Sequence, residues 1–361
     1  MFKNNRRKIA LLLVFVVTAL MAFAGCRSGA GEGAKSAGEV YVYSYGDYFD
    51  PTVAEDFEAE TGIKVILDSY DTAEEMYTVI ENDATTYDCI CTSDYMIEKM
   101  IKNEKLAEIN KDNITQLGNL GKVYMEKSEQ FDPGNKYSIP YMAGVAGILY
   151  NKEMVGDKEI DSWADLWDED FADQIVMPDS VRDAFMISLK KLGFSQNTDN
   201  EDEIKAAAEE LVKQKSLVYK YANDSARDLL ADGSAAIGMV WNGEYSYTVD
   251  LNENVEFVVP KEGSEFFIDS WVIPANAKNK ENAEKWIDYL CKAEVAAKNF
   301  DYLYYTTPNE AALEIIEDKE ALENEAIFPT DETLGRCDSL RMLDDETTDL
   351  YSKYWKEVKA K

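Results

Sequence analysis

Histidine is absent from all 361 residues of the chain. That excludes Ser-His-Asp and Cys-His nucleophilic catalysis and removes the commonest side-chain ligand of transition metals. Basic residues are scarce: 37 Lys and Arg stand against 70 Asp and Glu, for a formal net charge of -33. Such a body repels phosphate backbones, which excludes nucleic acid as a partner. It also concentrates cations, a weaker argument because acidic surfaces serve solubility too. Apart from Cys26 there are four cysteines, Cys89, Cys91, Cys291 and Cys337, with no CxxC pair and hence no zinc-site spacing. Cys89 and Cys91 alternate and share a strand face; they read as small buried hydrophobes, with a disulfide as the alternative. Outside the first 24 residues no apolar run approaches the roughly 18 residues of a membrane span.

What the chain does have begins at the N-terminus. Lys3, Arg6, Arg7 and Lys8 precede the apolar run from Ile9 to Ala24, and Gly25-Cys26 follow. A basic segment, a short apolar segment and small residues before a Cys read as an export signal over residues 1–25, cleaved so that Cys26 becomes lipid-modified. The pattern resembles the bacterial lipoprotein lipobox, with Phe23 where that motif most often has Leu; an uncleaved membrane anchor is the alternative. Residues 26–39, rich in Gly, Ser and Ala, then read as a flexible tether.

The body alternates strand-like and helix-like stretches. Val40 to Ser44 reads as a strand, Asp50-Pro51 opens a helix that Gly62 closes, and Ile63 to Leu67 is the next strand, so the region is a βαβ unit. A helix from Ala73 and a strand from Tyr87 to Cys91 follow. Tyr137 to Tyr141 and Val145 to Tyr150 look extended and nearly uncharged, which suits a crossing between two lobes. Ser162 is placed to cap residues 163–167, and Ser180 with Asp183 has capping-box spacing for a helix ending near Gly193. Further on, 281–303 reads as one long helix, Tyr304 to Asn309 as a loop, and 310–316 and 348–358 as helices. The alternation argues an α/β architecture with mostly parallel sheets.

Trp241 follows the apolar run 235–240, and Phe266, Phe267 and Asp269 lie in the next strand-like run but one. Ligands of α/β sheets bind outside the carboxyl ends of strands. Aromatic faces and a carboxylate at such ends suit an organic cation, since the rings attract the charge and the acid accepts its N–H bonds. A core Trp and a helix-capping Asp are the plainer reading. Tyrosines also stand in the loops after the first and third strands, where they serve either contact or packing.

Six motifs in order, TGIKV (61–65), YSIPY (137–141), SWADLW (162–167), GMVWNG (238–243), IPANAKNKE (273–281) and TPN (307–309), make the chain similar to the spermidine/putrescine-binding proteins of bacterial ABC importers. The resemblance runs from Val40 to Val358. It implies a two-lobed periplasmic-binding-protein-like α/β fold of type II, with a ligand cleft between lobes joined by crossing segments. Lobe 1 would comprise residues 40–144 and about 271–310, and lobe 2 about 145–270 and 311–361. It implies a monomeric binding protein rather than an enzyme, with no cofactor or metal, tethered by its lipid at the outer face of the cytoplasmic membrane. There it would deliver a polyamine to a permease and its ATPase.

By the same resemblance the ligand contacts are Tyr45, Tyr48, Ser93, Tyr95, Ser180, Asp183, Trp241, Phe267, Asp269 and Tyr305. Ser180 departs from the family's better-known member, which has a second acid there, although Asp179 is adjacent. The chemistry is consistent, because polyamine ammonium groups, with pKa near 10 like lysine, need fixed carboxylates once desolvated. The alternatives are a ferric-ion-binding transport protein with Tyr304 and Tyr305 as paired phenolates, and an exported carbohydrate hydrolase using two carboxylates.

Overall fold

A computed structural model describes residues 37–360; the signal segment 1–25, Cys26 and tether residues 27–36 lie outside the described residues. The tether is shorter than expected at its far end. The Ala37 N–H donates to the Gly62 carbonyl at 3.1 Å, and Glu39 already pairs with Lys64.

Nine strands, β1 (Glu39–Tyr45), β2 (Lys64–Tyr70), β3 (Cys89–Thr92), β4 (Ser138–Asn151), β5 (Ile175–Met177), β6 (Val218–Tyr221), β7 (Ile237–Trp241), β8 (Val255–Val258) and β9 (Phe266–Val272), form one sheet. Their order is β2-β1-β3-β9-β4-β7-β5-β6, with β8 also on β4. The expectation of mostly parallel pairing holds only within the two βα groups: β1 with β2 and β3, and β5 with β6 and β7. The joining strands run against them, so that β3–β9, β4–β9, β4–β7 and β4–β8 are antiparallel.

The two extended segments expected around residues 137–150 are one strand, β4. Its first part carries β9, its second part β7 and β8, and a register shift separates Pro140 from Met142. A proline has no N–H for the ladder, so an irregularity at that point is where a sheet tolerates it. Along β9 the side chains alternate. Phe267 and Trp271 enter a core with Trp286, Phe57 and Tyr305, while Phe266, Ile268 and Val272 enter another with Met76, Ile97 and Tyr87. A third core packs Trp163, Phe185, Leu211 and Tyr351 behind β5 and β7. Each fully buried large side chain in these cores contributes about 1.5–3 kcal/mol of transfer free energy.

The single helix expected over 281–303 is two, Lys280–Leu290 and Ala293–Leu303. Lys292 adopts an extended conformation (ψ 138°), and the Cys291 carbonyl is taken up by the side-chain amides of Asn119 and Asn309 at 3.0 and 2.8 Å. Two amides competing for one carbonyl replace the helical bond it would otherwise accept. Ser162 caps residues 163–167 as expected, and does so in a capping box with Asp165. Ser180 precedes helix Val181–Lys191 without capping it; its hydroxyl lies near the Asp183 carboxyl and opposes the rise in pKa that burial imposes there. Cys89, Cys91, Cys291 and Cys337 are all free thiols.

Candidate functional site

The site is built from the ends of β1, β3 and β7, the middle of β9 and the loop before Asn309. Asp47, at φ 47°, turns the chain after β1 so that Tyr48 folds back under Tyr45; their rings meet edge-on at 5.4 Å. The Tyr45 hydroxyl shares a 2.7 Å hydrogen bond with Ser93, which precedes helix Asp94–Lys102. The Tyr48 hydroxyl donates to Oδ2 of Asp269. Asp269 is therefore neither a strand-end residue nor a helix cap; it stands in mid-strand on β9, opposite Met142. Phe267 lies on the same face, and Tyr305 packs edge-on against both Phe267 and Tyr48 at 6.0 and 5.9 Å.

Two glycines make this convergence possible. A side chain at Gly144 would place its Cβ 2.6 Å from the Phe267 ring, and one at Gly243 would lie 2.5 Å from the Tyr305 ring. Trp241, half-buried at the end of β7, packs against the core holding Tyr48 and Tyr305 and against the core holding Trp163 and Phe185. Tyr45, Tyr48, Ser93, Phe267, Asp269 and Tyr305 are thus in one connected cluster, with Trp241 at its border.

Ser180 and Asp183 are brought together separately, at the start of helix Val181–Lys191, where the Asp183 carboxyl meets that of Glu265. Tyr95 gives its hydroxyl to Glu74 at 3.0 Å, the Arg182 guanidinium lies 5.4 Å from its ring centre, and its ring packs on the same core as Tyr45. Tyr304 and Tyr305 diverge as well. The first packs on Phe300 and the second donates to Glu244, so the paired-phenolate arrangement of the ferric alternative is not formed. No group of three His, Cys, Asp or Glu among the described residues is placed to hold a metal ion.

The electrostatics are those of acids withdrawn from water. Burial pushes Asp269 up to about 6, against the opposing pull of the Tyr48 and Ser93 hydroxyls. Its Oδ1 is buried and has no hydrogen-bond partner. Asp94 is pushed up to about 7, again chiefly by burial. Glu244 is raised by burial while its 2.8 Å ion pair with Arg227 pulls the other way. Asp94, Glu244 and Glu265 escaped the sequence reading. The signal for Glu265 was its even spacing from Phe267 and Asp269, whereas Asp94 and Glu244 are acids adjoining site motifs with nothing to distinguish them from surface acids. Carboxylates ringed by phenol and phenyl faces form a site for a cation with an apolar body.

The sequence profile of the bacterial extracellular solute-binding protein family matches residues 52–330. The spermidine/putrescine-binding periplasmic protein of Escherichia coli K12 is 35% identical over 322 residues, covering 89% of this chain and 91% of that protein. The putrescine-binding periplasmic protein SpuD of Pseudomonas aeruginosa is 29% identical, covering 89% and 92%. Among solved structures, a putative spermidine/putrescine ABC transporter protein from Listeria monocytogenes superposes with a TM-score of 0.86 at 36% identity, covering 89% of this chain and 98% of the other.

Proposed function

The chain belongs to the bacterial extracellular solute-binding proteins, and from that premise we propose that it captures a polyamine, spermidine or putrescine, outside the cell and hands it to an ABC importer. The observation that carries the reading is Asp269: a buried carboxylate with one oxygen unpartnered, enclosed by the rings of Tyr48, Phe267 and Tyr305. An ammonium group there gains charged hydrogen bonds worth about 1.5–3 kcal/mol each and cation–π contacts worth up to about 2. Two or three of each reach roughly micromolar affinity after ordering costs. The methylene segments need no hydrogen bonds and lie against the aromatic walls.

In this reading Asp183 holds a second nitrogen, Tyr45 and Trp241 extend the walls, and Ser93 orients the Asp269 and Tyr45 groups. Ser180 supplies a hydroxyl where the family's better-known member has an acid, and Tyr95 contributes its ring. Residues 40–144 with about 271–310, and about 145–270 with 311–361, are the two lobes that close on the ligand. The protein acts as a monomer and binds without catalysis, held to the outer face of the membrane through Cys26 beside its permease and ATPase. Neither the ferric nor the hydrolase alternative is favoured by any contact in the site.

Calorimetry and thermal melting of purified protein with spermidine, putrescine, ferric ion and an oligosaccharide test the reading. Polyamine alone is expected to raise the melting temperature and to bind at micromolar Kd or tighter. Stabilisation by ferric ion or sugar and not by polyamine would refute it. Native mass spectrometry of the protein as purified identifies any retained ligand by mass.

A further inference from the structure

Glu265 stands two residues before Phe267 and four before Asp269. Its carbonyl accepts the Ala146 N–H at 3.1 Å, continuing the β9–β4 ladder past the strand end, so an extended backbone puts its side chain on the face that carries Phe267 and Asp269. Glu265 is 4% exposed, Asp183 is 7% and Asp269 is 5%. The carboxyl groups of Glu265 and Asp183 are within hydrogen-bonding reach of each other, and Oε2 of Glu265 is buried without any partner. The groups that act most strongly on Glu265 are all acids: Asp183 on helix Val181–Lys191, Asp94 on helix Asp94–Lys102 and Asp269 on β9. No cation is ion-paired with Glu265 or Asp183 among the described residues. Arg182 gives its terminal nitrogens to the Arg341 carbonyl and to Asn197, its buried Nε has no partner and its charge favours ionised Asp183, while Lys190 pairs with Asp338.

Buried acids gathered without an ion-paired cation cost stability, and an arrangement with more negative than positive charge is retained where a ligand supplies the missing charge. We propose that Glu265 is a further ligand-binding residue: with Asp183 it forms a two-carboxylate clamp for one ammonium group of the polyamine, while Asp269 holds another nitrogen. The clamp rests on the polyamine reading above and specifies it. It supplies, from a different element, the second acid that Ser180 does not provide.

The step has a definite proton balance. Without ligand, two carboxyls in contact share one proton, and burial followed by the charge of Asp183 holds Glu265 well above the usual carboxylate range. An entering ammonium carries its own three protons and donates one N–H to each carboxylate. The shared proton then leaves to solvent.

The test compares wild-type protein with Glu265→Gln by titration calorimetry at pH 7, in two buffers of different ionisation enthalpy, with spermidine and with putrescine as probes. The expected result is a Kd on the order of tenfold to a hundredfold weaker in Glu265→Gln for whichever polyamine the wild type binds. Proton release should be smaller in the variant. The variant free of ligand should melt no lower than wild type, with an advantage that grows as pH rises, because a buried acid with a raised pKa loses stability in that direction. Unchanged affinity in the variant, or weaker binding with a lowered melting temperature and unaltered proton release, would overturn the role of Glu265 and leave the polyamine reading standing. Failure of the wild type to bind either polyamine would overturn both.

Discussion

Tyr48 and Asp269 lie 221 positions apart, and the phenol of one donates its proton to the carboxylate of the other inside the protein. One bond thus fixes the loop after β1 onto the middle of β9, while the other oxygen of the carboxylate is buried without a partner.

Asp269→Asn keeps the shape and removes the charge, so polyamine affinity should fall at least a hundredfold while the protein stays folded, as calorimetry and circular dichroism would register.

The pH dependence follows from the same residue. Asp269 in the free protein is pushed up to about 6, and the ligand binds its charged form, so affinity should weaken by up to about tenfold per pH unit below 6. Stability of the ligand-free protein runs the other way. The folded state holds protons that the unfolded chain, with Asp near 3.9, has already released, so the contribution of Asp269 is present below pH 4 and lost as pH rises through 6. Asp94, at about 7, adds to the same slope. Melting curves between pH 4 and 8, with and without saturating spermidine, should show the slope and its reduction by ligand.

Arg227→Met removes the 2.8 Å ionic partner of Glu244 and leaves a buried acid whose remaining side-chain hydrogen bond among the described residues is from the Tyr305 hydroxyl. A loss of roughly 3 kcal/mol in denaturant unfolding is expected. Adding Glu244→Gln should restore part of it, and a double-mutant cycle measures how much.

Gly144→Ala forces a methyl group to within 2.6 Å of the Phe267 ring and 2.3 Å of the Asn242 side-chain oxygen. Overpacking of this kind costs about 1–3 kcal/mol. Because the displaced ring is a wall of the site, polyamine affinity should fall along with stability; an unchanged Kd would show that the wall is not used.

Cys26→Ser should move the protein from the detergent-released membrane fraction to soluble or unprocessed forms when the gene is expressed in a bacterial host. A single lipid chain holds a protein only marginally, so persistence in the membrane requires more than one.

Local patterning carried the sequence reading a long way. The first βαβ unit, the Gly62 stop, at φ 72°, and the cap at Ser162 are short-range devices, and each is present as read. Of the residues named through the motif order, Tyr45, Tyr48, Ser93, Phe267, Asp269 and Tyr305 lie in one cluster. What failed was non-local. The helix break at Cys291 depends on Asn119 and Asn309, and nothing within 281–303 announces it. The antiparallel joining strands follow from β9 returning beside β4 after more than a hundred residues, a pairing that alternation cannot reveal. Tyr95 entered the site through the family resemblance, and the bond of its hydroxyl to Glu74 on a different helix is a contact between elements that no local pattern announces. Glu265 showed in the sequence only its even spacing from Phe267 and Asp269, because burial next to Asp183 is a property of the assembled fold.

The place of β9 in the sheet also sets an order of events for the growing chain. β3 has β1 on one side and β9 on the other, so once residues 39–92 have folded, the outer edge of β3 stays open until residue 272 has been delivered. The first half of β4 waits for the same strand. Through that interval the molecule presents unpaired backbone on Ile90, Cys91 and Thr92 next to apolar side chains, which is the arrangement that recruits a second chain. Whatever escorts the unfolded protein must therefore cover the edge of β3 until β9 arrives to close it.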